Sequence, residues 1–348
     1  MKAKLIINPV AGTDAAPDDL TAINRQLRAR VGRLDIVITT AEGDATQAAQ
    51  EAVRDGYDHL FVGGGDGTLN EVLNGVARLE HGLSQVTFGV IPLGTGNDFA
   101  TALGLPEDIP GAIEALLEGD AAAVDIGRMN DHYFVNVSAG GFIAEVSDAV
   151  NPKLKTVAGK LAYLIGGAQV VLTYEPVRAQ LVRIESLATP HTTAENQGPL
   201  PSTIALHAFA VCNSRLVGGG RLIAPHATID DGRVDVCLIE AMPTVDFLSL
   251  LRRVSGGEHV DDTRVIYFQA ARLELVFDRP IKVNTDGEVL ETNRCCYDVL
   301  PGRRGSSEGA RRRSFRTRRS RNVYALSSPR GRIVSSSRFY FATALYEA

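Results

Sequence analysis

The 348-residue chain is 45% hydrophobic and 22% charged with a net charge of −5, the balance of a soluble globular protein with room for two cores. The acidic balance argues against a nucleic-acid partner. The four cysteines, Cys212, Cys237 and the adjacent Cys295 and Cys296, lack C-x-x-C spacing and read as reduced thiols of a cytosolic protein rather than a disulfide framework. No apolar run reaches the ~20 residues of a transmembrane helix, the nearest being residues 161–172. The start of the chain is too short in its apolar part for a signal peptide.

The first third alternates strands and helices. Residues 5–7 predict a strand and Asn8-Pro9-Val10-Ala11-Gly12 a turn, followed by a helix over about 16–31. Strands follow at 34–40, 60–62 and 88–93, with helices over 44–53, 69–79 and 109–119 between and after them. Asp44 is a plausible N-cap for the second helix. This alternation predicts a doubly wound parallel sheet, in which ligands sit beyond the carboxyl ends of the strands. Three Gly-rich turns (8–12, 63–68 and 94–98) fall at those ends and can converge on one pocket.

The most informative turn is Gly63-Gly64-Gly65-Asp66-Gly67-Thr68, which ends an apolar strand and opens a helical pattern at Leu69-Asn70-Glu71. Glycines let backbone N–H groups approach an anion, and a helix N-terminus adds partial positive charge. Asp66 in such a cradle would repel a bare phosphate, which points to a bridging cation or a ribose contact.

From about residue 121 the pattern changes to short strands punctuated by turns such as Asn130-Asp131 and Asp231-Gly232, the texture of a mainly antiparallel β-sandwich. Helical inserts are expected over 153–172 and 244–254, and an exposed loop over 187–201. After Gly302 the composition shifts abruptly to about a dozen Arg with almost no acid, which reads as a basic tail, mostly disordered, that could touch anionic lipid headgroups. The expected domains are therefore 1–124, α/β and nucleotide-binding; 125–283, the sandwich; and 303–348, the tail. Walker A, G-x-S-x-G and metal-type His spacings are absent from the sequence.

Four motifs in order carry a family resemblance. The Gly63–Thr68 loop resembles the nucleotide loop shared by diacylglycerol, sphingosine and NAD kinases and 6-phosphofructokinases. Pro92-Leu93-Gly94-Thr95-Gly96-Asn97-Asp98-Phe99-Ala100 is similar to the second signature of the lipid-kinase branch. Asn8–Gly12 resembles that branch's opening turn, and Asn284-Thr285-Asp286-Gly287-Glu288 its late D-G-E motif. Over residues 1–302 the chain thus resembles bacterial soluble diacylglycerol kinases. The NAD kinases do not share the second and fourth motifs in this form.

The resemblance implies ATP-dependent, Mg²⁺-dependent phosphorylation of a lipid hydroxyl, by a cytoplasmic enzyme that visits the membrane transiently. It makes Glu288 the general base on a segment (284–302) that folds back to the first domain. It makes Asn8, Pro9, Val10, Ala11, Gly12, Thr39, Gly65, Asp66, Gly67, Thr68, Leu69, Asn70, Glu71 and Thr95 the ATP-contacting positions, with the adjacent Thr40 an equal alternative to Thr39. Asp66 would act through magnesium or its waters. Asp125 matches an acid of the same network, although the residues alone fit a strand-end acid satisfied by backbone N–H groups equally well. A second magnesium site is implied at the Asp231 carboxylate with main-chain oxygens of Thr228 and Arg233; without the resemblance it is an ordinary D-D-G turn. Gly218-Gly219-Gly220 resembles a flexible interdomain loop and is assigned no ligand. Exposed sandwich edges leave pairing into a homodimer open.

Overall fold

A computed structural model describes residues 1–12, 17–119, 121–149, 174–185, 200–302 and 340–342. The expected helical insert over 153–172, most of the loop over 187–201 and nearly all of the tail lie outside them. The first domain runs β1 (Lys2–Ile7), α1 (Pro17–Arg30), β2 (Arg33–Ile38), α2 (Asp44–Arg54), β3 (His59–Gly64), α3 (Asp66–Ala77), β4 (Thr87–Pro92), α4 (Asp98–Ala102), α5 (Ile109–Glu118) and β5 (Ala121–Ala123). Strands β1, β3 and β4 are buried from their second residue onward. Such near-continuous apolar runs suit parallel strands covered by helices on both faces. The order is β2-β1-β3-β4, all parallel, as the alternating pattern predicts. Helix α2 buries Ala45, Ala48, Ala49, Ala52 and Val53, one helical stripe. Its N-cap is Gly43 rather than Asp44. Asp44 instead opens the helix and accepts from Thr40 and Ala41 N–H.

The sheet does not end at β4. A strand from the far end of the chain, β17 (Tyr340–Ala342), pairs parallel with β4 and antiparallel with β5. The expectation of a structureless tail is therefore corrected over these three residues. Phe341 is fully buried, stacked on Phe88 and edge-on to Phe99.

The second domain contains β6 (Ile126–Met129), β7 (His132–Phe134), β8 (Val137–Gly141), α6 (Phe142–Ala149), β9 (Val177–Glu185), β10 (Thr203–Cys212), β11 (Leu216–Val217), β12 (Arg221–Leu222), β13 (Val234–Glu240), α7 (Thr244–Arg253), β14 (Val265–Ala270), β15 (Arg272–Thr285) and β16 (Glu288–Leu300). Nine strands order as β14-β13-β10-β8-β15-β16-β6-β7, and β9 bridges β10 and β15. Because β8 and β9 each pair with both β10 and β15, the antiparallel sheet parts and folds over its own core. This is the expected antiparallel sandwich. The register of β15 with β16 is irregular between Val276 and Ile281. Pro280, which has no N–H to give the ladder, lies in that interval.

The expected return of residues 284–302 to the first domain is corrected as well. The segment stays in the second sheet as the end of β15 and all of β16. Its Leu300 packs against the core of the first domain. Among the described residues, no helix is long and apolar enough to cross a membrane.

Candidate active site

Three turns meet at the carboxyl edge of the first sheet. The turn after β1 is anchored by Asn8, whose N–H donates to Gly63 O at 2.8 Å and whose Nδ2 donates to Thr68 Oγ1 at 3.4 Å. Gly12 has φ +85°, and a Cβ there would stand 2.4 Å from Leu93 O. A Cβ on Gly94 would lie 2.4 Å from Gly65 Cα. The three turns thus touch backbone to backbone, an arrangement that leaves N–H groups close to any anion beside them. The first intrahelical bond of α3 runs from Leu69 N to Gly65 O. The N–H groups of Asp66, Gly67 and Thr68 precede it and have no acceptor within the helix.

The side chains divide. Pro9, Ala11 and Gly12 are half-buried, while Val10 and Thr95 are exposed at the mouth. Thr39 is buried beside β1, donating its N–H to Ile7 O. Thr40 instead gives both N–H and hydroxyl to Asp44, so the structure separates two residues that the sequence left equivalent. Leu69 and Asn70 face inward: Leu69 is in the core, and Asn70 Oδ1 accepts from Asn74 Nδ2 at 2.8 Å. Their side chains are thus turned away from the loop. Glu71 Oε2 accepts from Gly43 N at 3.1 Å, and partial burial raises its pKa.

Asp66 is held from the neighbouring turn. Its Oδ2 accepts from Asp98 N and its Oδ1 from Phe99 N, each at 3.1 Å, so it caps α4 from outside that helix. Oδ1 also accepts from Asn136 Nδ2 at 3.1 Å. Three donors on a carboxylate with about four lone-pair directions leave room for one further contact. Asp98, buried beside it, accepts from Gly219 and Gly220 N–H of the loop between β11 and β12. Burial pushes the Asp98 carboxyl up against the pull of those donors. The triple-glycine loop is therefore docked on the first domain through Asp98.

Asn136 joins the two domains. Its side-chain oxygen accepts from Ser214 Oγ, its Nδ2 reaches Asp66, and its N–H donates to Asp286 Oδ2. Asp286 also accepts from Val135 and Val137 N–H at 2.7 and 2.8 Å. Asp286 and Gly287 both have positive φ (+46° and +100°), the demand of a type I′ hairpin turn and the reason for an Asp-Gly pair. That turn presents Glu288, the first residue of β16, with its side chain 44% exposed and Oε2 3.4 Å from His132 Nδ1.

Asp286 is buried, and this burial raises its pKa from 3.8 to about 7 despite three N–H donors. Burial likewise raises Asp125 and Asp235 to about 6. A carboxyl whose folded pKa exceeds its unfolded value holds its proton more tightly when folded. Its stabilising contribution is complete below the unfolded pKa and is lost as pH rises towards the folded one. The melting temperature is therefore expected to fall between about pH 4 and pH 7. Asp286→Asn should flatten that slope while lowering the absolute value, because an amide cannot satisfy all three donors. Melting curves across this range check it, and an unchanged slope refutes it.

Asp125 sits elsewhere. It is wholly buried, and its carboxylate accepts from Gly232 N at 2.6 Å and Gly302 N at 2.8 Å. The charges that raise it, after burial, are Asp231 and Asp230. Its carboxylate is thus met by backbone N–H groups beside the Asp231 turn, while its main-chain oxygen accepts from Asn213 Nδ2 at 2.9 Å, and Asn213 N in turn donates to the main-chain oxygen of Asn136. Asp231 accepts from Arg233 N at 3.0 Å and Gln269 Nε2 at 3.2 Å. The residue is exposed as a whole, yet its carboxylate leans against the protein, and desolvation raises its pKa. After burial, the Asp231 charge adds to the rise of both Asp125 and Asp235. No cluster of three or more acidic, His or Cys side chains placed to hold a metal ion occurs among the described residues.

The sequence profile of the diacylglycerol kinase catalytic domain matches residues 2–129. That of the YegS C-terminal NAD kinase beta sandwich-like domain matches residues 136–303. A diacylglycerol kinase of Bacillus subtilis (strain 168) is 34% identical over 82% of this chain and 89% of its own length. The chain belongs to the diacylglycerol kinase family. A diacylglycerol kinase of Staphylococcus aureus (strain JH9) is 33% identical over 82% of this chain and 86% of its own length. A crystal structure of a candidate diacylglycerol kinase from Bacillus anthracis superposes with a TM-score of 0.67 at 27% identity, covering 86% of this chain and 94% of that one. Membership makes this protein a kinase, and so a transferase. Both profile matches end at or before Gly302 and its neighbour, so β17 lies beyond the part of the chain they cover.

Three polar residues of the site carry no assignment from sequence reasoning. Asn136 is a single amide inside the apolar run Phe134 to Val137, and that interruption is its one signal. Asp98 was read only as part of a motif. His132 stands beside the Asn130-Asp131 turn with nothing in its neighbours to mark it.

Proposed function

We propose that this protein transfers the γ-phosphate of ATP to the hydroxyl of a membrane lipid alcohol, most simply diacylglycerol, giving phosphatidate and ADP. The observation that carries the reading is the pairing of a backbone-only phosphate cradle with a hairpin that presents one carboxylate, Glu288, across the domain junction through Asp66, Asn136 and Asp286. The acceptor oxygen attacks phosphorus, the bond to the bridging oxygen of ADP breaks, and the hydroxyl proton passes to Glu288. Such transfers depend chiefly on positioning and on stabilising spread charge. The N–H groups at the start of α3 would hold phosphate oxygens, and Asp66 keeps α4 against them. Magnesium, when bound, would neutralise phosphate charge, with Asp66 the carboxylate on that side. The enzyme would work from the cytoplasm and touch the membrane to collect its acceptor.

Labelled γ-phosphate from ATP offered to a total lipid extract and, in parallel, to NAD tests the reading. One labelled lipid is expected; label on NAD alone would overturn it. The NAD arm is chosen because the second matched domain is described as NAD kinase-like. At the second site, Asp231→Ala should abolish the stabilisation produced by Mg²⁺, about 2.7 kcal/mol for a site at about 100 Kd of free ion and read as a rise in melting temperature. A magnesium titration followed by melting checks this, and an unchanged rise removes Asp231 from the ligand set.

A further inference from the structure

The imidazole of His132 has one nitrogen that nothing else explains. Nδ1 is buried and has no hydrogen-bond partner, and the carboxylate Oε2 of Glu288 lies 3.4 Å from it. A buried polar atom left unpaired loses its hydration without compensation, so its retention calls for a reason. The ring is 22% exposed and Glu288 44%; the buried nitrogen thus faces the more solvated carboxylate.

Both partners are fixed by the parts of the site they would connect. His132 opens β7, and the next residue of that strand is clamped to α3 by a reciprocal pair. Asn74 Nδ2 donates to Tyr133 O at 2.9 Å, and Tyr133 N donates to Asn74 Oδ1 at 3.0 Å. Asn74 is buried and braced on Asn70 of the same helix. The helix that begins at the glycine loop therefore sets the position of His132. Glu288 is set from the other side, by the turn whose Asp286 grips three consecutive N–H groups. The nucleotide-loop helix and the hairpin meet at these two side chains.

We propose that His132 is a positioning residue for Glu288. With its proton on Nδ1, the ring donates to Oε2 and turns the carboxylate towards the acceptor hydroxyl. A separation of 3.4 Å is long for this bond, and catalytic hydrogen bonds are often long in the free enzyme and tighten with substrate. The inference rests on reading Glu288 as the base.

Four full-length variants test it. His132→Phe keeps a ring and removes the donor; His132→Asn puts an amide N–H where Nδ1 stood; Glu288→Gln and the double variant His132→Phe/Glu288→Gln complete a cycle. His132→Phe is expected to lower kcat about tenfold with KM for ATP within about twofold, because the ring acts on the base and not on the nucleotide. His132→Asn should recover most of that loss. The double variant should be no slower than Glu288→Gln alone, since two members of one unit are not additive. A fast His132→Phe, an Asn variant as slow as Phe, or losses that multiply in the double variant would each overturn the proposal while Glu288→Gln remains slow. A Glu288→Gln enzyme as fast as wild type overturns the base reading and the proposal with it. The contact is also read without any lipid. The His132 imidazole ¹⁵N resonances, identified by their loss in His132→Phe, should shift in Glu288→Gln, and resonances that stay put overturn the proposal whatever the activity.

Discussion

Glu288→Gln is expected to lower kcat for phosphate transfer to the lipid by about 10²–10⁴-fold, the range that general-base groups supply. The loss should fall towards the lower end of that range. In a loose, metaphosphate-like transition state the acceptor proton is transferred late, and positioning carries more of the rate. Gln keeps the size of the side chain and removes only its ability to take the proton. The carboxylate is 44% exposed at the edge of a hairpin, so stability should change by no more than about 0.5 kcal/mol. KM for ATP should hold, because the nucleotide turns are built backbone on backbone around Gly65 and Gly94. Initial rates at saturating ATP, with melting curves on the same samples, separate the two effects. A Gln variant within about threefold of wild type would remove Glu288 from the chemistry.

Legibility followed how tightly geometry restricts residue choice. The glycine turns could be read because backbone packed on backbone tolerates no other residue: Gly94 against Gly65 leaves no space for a Cβ. The parallel sheet could be read because strands covered on both faces must be apolar along their length, as β3 and β4 are. The Asp286-Gly287 turn could be read because two positive φ angles in succession select that pair. Strand β16 could not. Much of it is exposed, so its side chains show no clean alternation and residues such as Arg294 and Cys296 give no periodic signal. Asp125 illustrates a different limit. An acid at a strand end looks the same in sequence whether its carboxylate meets a ligand or two glycine N–H groups, and burial decides between them. Asn136 was hidden for a related reason. An amide in an apolar stretch reads as a surface residue until three partners from separate segments are seen to close around it.

Phe341→Ala is expected to cost about 3–5 kcal/mol, the usual loss for emptying a buried phenyl site. The ring is fully buried, 5.2 Å from Phe88 in a stacked pair and 4.9 Å from Phe99 edge-on. Its strand fills the slot between β4 and β5, so weakening it also exposes two unpaired strand edges. No sequence pattern announces this. Three residues are too few for a period, they follow a long Arg-rich stretch, and their order comes from the strands on either side rather than from any propensity of their own. The consequence should reach the site. Phe99 packs on Phe341 through its ring and donates its N–H to Asp66 Oδ1. Loosening the ring should therefore loosen the carboxylate that holds α4 against the glycine loop. KM for ATP should rise in Phe341→Ala along with the drop in denaturation midpoint, whereas Glu288→Gln should move neither. Urea denaturation and ATP kinetics on the full-length variant check both parts. A midpoint and KM equal to wild type would show that β17 does not occupy the slot in solution.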